Sequence, residues 1–458
     1  MMLITQSCFA VAILTHTVTA FVPWIPDYRC KEFNTCIGKR TSADTQVENR
    51  GLEHVEIIQR VAEVCTLILF VTSRTLLTIR QNQLPHDVQV QRLAERLYNK
   101  YQRDSPSKSI DGRDFKVVPA AVPTTSTSLG IDQDGTDFSY YAKIQVGSNN
   151  QVMNMALDTG AGTTWVMGKE CQAEACKIHN NFDSSSSTTF NGSSGLDFEL
   201  HYGSGHVTGK LASDTLTLAG FTIKPIIGIA NNASTEFKDF PIDGILGLAQ
   251  SKGDQDTFVE TLAKSKILPA NRFGVSIGRA TDGPNVGVIN FGTLDNTRYS
   301  GDLTYFPVPE EKKKEGEWAL AMSQISFGDK NINIENKVAY IDTGTSYIFA
   351  KEEEVKKLHD IVPGSFVAVN TTGTWRVPCD TTTEIVLTFG SKTYTIAPRD
   401  WVGPKVDGNC TSNIYGYDVV EGAWLLGDTF LKNVYAVFDF DAYQVGESYK
   451  SPRLDPLY

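Results

Sequence analysis

The chain has 458 residues and a formal charge of −11, room for two or three domains of ordinary size. The charge is uneven: residues 1–130 hold 15 Lys/Arg against 12 Asp/Glu, and the rest holds 27 against 41. An acidic body of that kind repels phosphates, which argues against nucleic acid as a partner.

In chain order, residues 1–20 read as a signal peptide, with an apolar centre in "SCFAVAILTHTVTA" and small residues before Phe21. A second apolar run, "VCTLILFV" at 64–71, is far short of the roughly 20 residues a membrane span needs. No membrane partner is expected. The stretch "DVQVQRLAERLYNKYQR" at 87–103 has helical spacing, and "KVVPAAVPTTSTSLG" after it reads as a linker. Residues 21–125 are therefore taken as a leader. Its basic balance suits docking on the acidic body that follows.

From about Phe138 the texture changes to short alternating stretches such as "YYAKIQVG", "LDFELHYGSG" and "EIVLTFGSKTYTIA", bounded by Gly, Asn and Asp. That is the pattern of a mostly β protein with hairpins. Two helices are expected, in "QDTFVETLAKS" and "EEEVKKLHDIV". The body has four cysteines, Cys171, Cys176, Cys379 and Cys410, which allow three pairings; the local one closes the shortest loops. With no CxxC pair and no matching His spacing, a zinc site is not expected. Sequons at Asn191, Asn232, Asn370 and Asn409 add to the case for an oxidising, exported environment. Secretion is the first expectation, and an acidic vacuole fits the same features.

One repeat carries chemistry. "MALDTGAGTTWVMG" recurs in outline as "VAYIDTGTSYIFA", and each is followed by an apolar-apolar-Gly echo, "IDGILGLA" at 242–249 and "WLLGDTFL" at 424–431. A lone Asp-Thr-Gly is a turn. Two of them, each behind an apolar strand and each with its own partner segment, point to a pair of carboxylates. Asp158 and Asp342 would meet around one water and share a proton, because neighbouring carboxyls do not both ionise easily. Gly160 and Gly344 permit the tight turns, and Thr159 and Thr343 can hydrogen-bond across to the facing loop. A serine or cysteine hydrolase would need a nucleophile elbow or a Cys–His pair, and neither is present.

On these motifs the chain resembles the pepsin-like aspartic endopeptidases over residues 138–458. The resemblance implies an all-β, bilobal fold, with an N-terminal lobe at 131–305, a C-terminal lobe at 306–458, and a polypeptide cleft between them. It assigns Asp158 and Asp342 to the catalytic pair. "HYGSG" becomes the flap, with Tyr202 over the aspartates, Gly203 contacting substrate and Ser204 beside it. Trp165 would hold the flap tyrosine, and Gly247 and Gly427 would brace the aspartate strands. The disulfides become Cys171–Cys176 and Cys379–Cys410, and Lys100–Tyr101 in the leader becomes a prosegment contact with the aspartates. Residues 21–84 match a prosegment poorly. The resemblance further implies an acid-active monomer made as a zymogen, inhibited by pepstatin-type compounds and needing no cofactor or metal. The alternative is a catalytically silent pepsin-like binding or decoy protein, a class that usually lacks an aspartate or the flap tyrosine; this sequence keeps all three.

Two departures from the family pattern set further expectations. Ala161 stands where a serine usually follows the first Asp-Thr-Gly, while the second loop keeps Thr345. Losing that hydroxyl on one side raises that side's proton affinity and shifts the pH optimum up, by about half a unit to one unit. Ser204, two residues past Tyr202, offers no counter-charge for lysine, so bulky apolar residues are expected around the scissile bond.

Overall fold

Alternation decides the strands. In Tyr140–Val146 every second side chain is buried while Lys143 is exposed, and Gly205–Ser213 buries Val207 and Gly209 in the same rhythm before it shifts to bury Ala212. The computed structural model describes residues 117–450 apart from 194, 203–204, 252–254, 370 and 372. The expected signal peptide, nearly all of the expected leader, Lys100–Tyr101, Gly203 and Ser204 of the expected flap, and Asn370 therefore lie outside the described residues.

The architecture is the expected all-β, two-lobed one. One large sheet belongs to the N-terminal half; its middle runs Ile226–Ala233, Trp165–Met167, Gly244–Gly247, Gln151–Asp158, Tyr140–Val146. A seven-stranded sheet belongs to the C-terminal half, its middle running Ala319–Phe327, Lys330–Ile341, Trp424–Leu426, Ile348–Phe349. Both halves contain the same three-strand unit. The aspartate strand pairs in parallel with the apolar-apolar-Gly strand, Gly247 opposite Asp158 and Leu426 opposite Ile341. That partner then pairs antiparallel with the strand leaving the Asp-Thr-Gly turn.

A six-stranded sheet joins the halves. Its order is Ser128–Gly130, Val288–Phe291, Arg272–Ser276, Val434–Asp439, Gln444–Lys450, Tyr299–Pro307. Phe273 faces Phe438 across the seam, their rings stacked 4.8 Å apart, so the apolar core runs continuously beneath both lobes. The last of these strands spans residues 305 and 306, so the shared sheet takes in both sides of that lobe division.

Both expected helices form, at Phe258–Ser265 and Glu352–Asp360. The first opens with the Thr257 N–H donating to the Glu260 carboxylate at 2.8 Å, one half of a capping box. The second buries Val355, Leu358 and His359. Both expected disulfides are present, with Cα–Cα separations of 5.9 Å for Cys171–Cys176 and 5.0 Å for Cys379–Cys410. Of the described sequon residues, Asn191 and Asn232 are exposed and Asn409 is half-buried.

Candidate active site

Each aspartate ends or follows an apolar strand and is held at its turn by its own loop. The Gly160 N–H donates to Asp158 Oδ1 at 2.9 Å, and the Gly344 N–H donates to Asp342 Oδ1 at 2.8 Å. Two loops so similar could still sit apart. The threonines prevent that. The Thr159 N–H donates to Thr343 Oγ1 at 3.1 Å and the Thr343 N–H to Thr159 Oγ1 at 3.0 Å. Each hydroxyl then donates onward to the opposite strand, Thr159 to the Ile341 carbonyl and Thr343 to the Leu157 carbonyl, both at 2.8 Å. Four buried hydrogen bonds thus lock residues 184 apart in sequence into one constellation.

The result is close approach. A Cβ added at Gly344 would lie 2.5 Å from Asp158 Cγ, so only glycine lets the second loop pass the first carboxyl. Asp158 and Asp342 are 3% and 1% exposed, so their charges interact with little screening by water. The bracing glycines work by the same logic. A Cβ at Gly427 would fall 2.0 Å from the Thr345 carbonyl oxygen, and one at Gly247 would fall 2.8 Å from that of Ala161.

The two carboxyls differ in their surroundings. Thr345 Oγ1 donates to Asp342 Oδ2 at 2.8 Å; Ala161, in the matching place, has no hydroxyl to give. Behind Asp342 lies Asp428, first residue of a short helix, Asp428–Leu431. Its Oδ1 has no hydrogen-bond partner among the described residues. Burial pushes the Asp428 carboxyl well above its ordinary range against the pull of Lys432, and the charges of Asp342, Asp137 and Asp134 push it further. In the first half that position is Leu248, whose N–H donates to the Asp158 carbonyl at 2.8 Å.

Over the first aspartate the hairpin Asp197–Tyr202 and Gly205–Ser213 brings down Tyr202. The Trp165 Nε1–H donates to the Tyr202 hydroxyl at 2.9 Å, and Phe237 packs edge-on against both rings. Burial, then the Asp158 charge, raises the Tyr202 phenol well above its ordinary value, which keeps it neutral. Beside Asp342 opens a cavity of about 550 Å³, whose wall includes Leu200, His201, Ile226, Gln250, Trp318 and Tyr340.

Sequence reasoning placed Asp158, Asp342, Thr159, Thr343, Gly160, Gly344, Thr345, Trp165, Tyr202, Gly247 and Gly427 together, and the structure brings all of them to one place. It missed Asp428, although the change from "ILGL" to "LLGD" between the two echoes was a visible signal. It also missed the Tyr340–Glu317 pair on the cavity wall, where the phenol donates to the carboxylate at 2.5 Å. No local pattern announces a contact between an aspartate strand and a loop 23 residues before it.

The model of the eukaryotic aspartyl protease family matches residues 139–449. Among curated relatives, "Aspartic-type endopeptidase ctsD" of Aspergillus fumigatus is 38% identical over 341 residues, covering 74% of this chain and 71% of that protein. "Probable aspartic-type endopeptidase CTSD" of Trichophyton verrucosum is 37% identical, covering 75% and 67%. More distantly, cathepsin E of Aquarana catesbeiana is 28% identical, covering 73% and 85%. The paired Asp-Thr-Gly loops, the two-lobed β architecture and these matches agree: the chain belongs to the eukaryotic aspartyl proteases and is an aspartic endopeptidase.

Proposed function

We infer that the chain is made as a zymogen and that its active form cleaves polypeptides in acid, with Asp158 and Asp342 as the catalytic pair. The observation that carries this reading is the reciprocal Thr159–Thr343 pairing, which fixes two buried carboxyls on facing loops. One carboxylate takes a proton from a water as that water attacks the scissile carbonyl carbon. The partner, protonated, donates to the carbonyl oxygen, giving a neutral tetrahedral intermediate. The carboxyl that took the water's proton passes it to the departing nitrogen, while the other carboxylate takes one from a hydroxyl of the intermediate. The C–N bond breaks, amine and acid leave, and the pair again holds one proton. Acid is needed because the cycle starts with one proton on two carboxyls. No metal or organic cofactor enters these steps.

The Tyr202 flap, tied back by Trp165, covers the reacting bond. Leu200, Ile226 and Trp318 on the cavity wall suit a bulky apolar side chain beside it. A phenylalanine peptide is expected to be cut at least tenfold faster than its lysine analogue at the residue before the scissile bond; equal rates would overturn the apolar preference. The basic leader would lie against the acidic body at neutral pH and loosen as carboxylates protonate. Export to the exterior or to an acidic vacuole suits such chemistry; "Vacuolar protease A" of Aspergillus fumigatus is among the more distant relatives, at 28% identity.

The test is cleavage of denatured globin from acid to neutral pH by acid-treated protein, with and without pepstatin. Asp342→Asn is expected to lower the rate by about a thousandfold or more while leaving the fold intact. Wild-type protein that is folded and processed yet inactive would refute the enzymatic assignment of this pair.

A further inference from the structure

The strand Gln444–Lys450, "QVGESYK", lies inside the shared six-stranded sheet, paired on both sides. Alternation puts Val445, Glu447 and Tyr449 on one face. Directly across from Glu447 are Ala436 on one neighbour and Thr304 on the other. A position buried this completely ordinarily takes an apolar residue. The sequence supplies a glutamate that is 0% exposed, and neither carboxyl oxygen has a hydrogen-bond partner among the described residues.

What covers it comes from the C-terminal lobe. Tyr394, on the strand Lys392–Ile396, sends its hydroxyl to the backbone carbonyl of Glu447 at 3.0 Å. Its ring packs against Phe306 of the shared sheet, Phe389 of the lobe and Tyr449 of the same strand as Glu447. Glu447 is therefore sealed into the joint where the C-terminal lobe rests on the sheet common to both halves. The titratable groups around it are Tyr394 from the lobe and Tyr449 on its own strand. The facing residues of the two flanking strands, Ala436 and Thr304, cannot titrate.

We propose that Glu447 is a protonation latch: neutral, it stays packed in the joint, and its ionisation as pH rises works the C-terminal lobe loose from the shared sheet. The proton goes to bulk water and no other group needs to change. Among the described residues neither Glu447 carboxyl oxygen has a hydrogen-bond partner, and an uncompensated buried charge is far costlier than a buried neutral acid. Burial alone pushes its carboxyl up to about 8, from an ordinary 4.5. The folded chain therefore holds one proton more than the unfolded chain between those values. The stability linked to that proton is complete below the unfolded value, and it drains away as pH rises to about 8. The enzyme's stable range would thus be confined to acid and near-neutral conditions by a residue far from the cleft in sequence and role.

The experiment is equilibrium unfolding in urea of the full-length chain from about pH 4 to about pH 8.5, comparing wild type with Glu447→Gln and Glu447→Leu. In the window between about pH 5 and about pH 8 the wild-type unfolding constant is expected to rise about tenfold more per pH unit than that of either variant. Parallel pH dependences would overturn the proposal. An independent reading is the infrared difference spectrum of wild type minus a folded variant at about pH 6.5. A protonated-carboxyl band there supports the latch, and an ionised-carboxylate band overturns it. Globin cleavage at about pH 4 is expected to be equal in all three proteins, which separates failure of the latch from failure of the catalytic assignment.

Discussion

The two Asp-Thr-Gly loops have the same backbone and different electrostatics. Residues 158–167 and 342–349 make the same turn, the same bond from the glycine N–H to the aspartate, and the same crossed threonine bonds. Around Asp342 stand a hydroxyl, Thr345, and a buried acid, Asp428. Around Asp158 the matching places hold Ala161 and Leu248. The backbone symmetry brings two carboxyls together; the asymmetry around them decides how a shared proton is divided. A perfectly symmetric pair would have no preferred base, whereas here one carboxyl has a hydrogen bond to its ionised form that the other's loop cannot offer.

The shared backbone is tested by filling its tightest points. Gly427→Ala drives a Cβ to 2.0 Å from the Thr345 oxygen and 2.6 Å from that of Tyr347. Neither carbonyl can retreat, because Thr345 O accepts from the Asp428 N–H and Tyr347 O from the Gly427 N–H. A loss of about 3 kcal/mol is expected in thermal unfolding. Gly247→Ala, whose Cβ would meet the first loop at 2.7–2.8 Å, is expected to cost about half as much. The reverse order would show that the two loops are not braced in the same way.

Asp428 tests the asymmetry. Burial and the neighbouring Asp342, Asp137 and Asp134 hold it neutral to a higher pH than an ordinary aspartate, despite Lys432. While neutral it leaves Asp342 alone. Ionised, it sets a second negative charge behind the pair. Once ionised it strengthens the pair's hold on its shared proton, so Asp428→Asn is expected to leave the acid limb of the pH–rate profile in place and to draw the high-pH limb down by about one unit. A downward shift of both limbs would mean that Asp428 is ionised throughout.

Much of the centre was legible because it is written locally. An apolar strand, Asp-Thr-Gly, and a later apolar-apolar-Gly segment each occupy a few consecutive residues, and their repetition multiplied the signal. Trp165 and Tyr202, and the short disulfide loop, were legible through the resemblance. What escaped was set by pairing between distant segments. Nothing in "SLG" at 128–130 announces that it will lie beside 288–290 in register, and nothing in "EGEW" announces that Glu317 will meet the phenol of Tyr340. Glu447 is a further case. It stands in a run of four consecutive buried residues, 445–448, and the covering Tyr394 accounts for its isolation from water.

The smallest effect bears most directly on the comparison. Ala161→Ser would give the first loop the group that the second already has, since Thr345 Oγ1 bonds its aspartate at 2.8 Å. A hydroxyl donating to Asp158 favours the ionised carboxyl, so the pair should keep one carboxylate down to lower pH. The acid limb of the pH–rate profile should move down by about half a unit to one unit, with little change in stability because residue 161 is only half-buried. If the limb stays put while the variant folds normally, the proton already resides elsewhere in the cycle. The difference between the loops would then rest on Asp428 and Leu248 rather than on the missing hydroxyl. If it moves, and Asp428→Asn moves only the other limb, the two sides of the profile belong to the two halves of the molecule, each tuned by one residue beside its own aspartate.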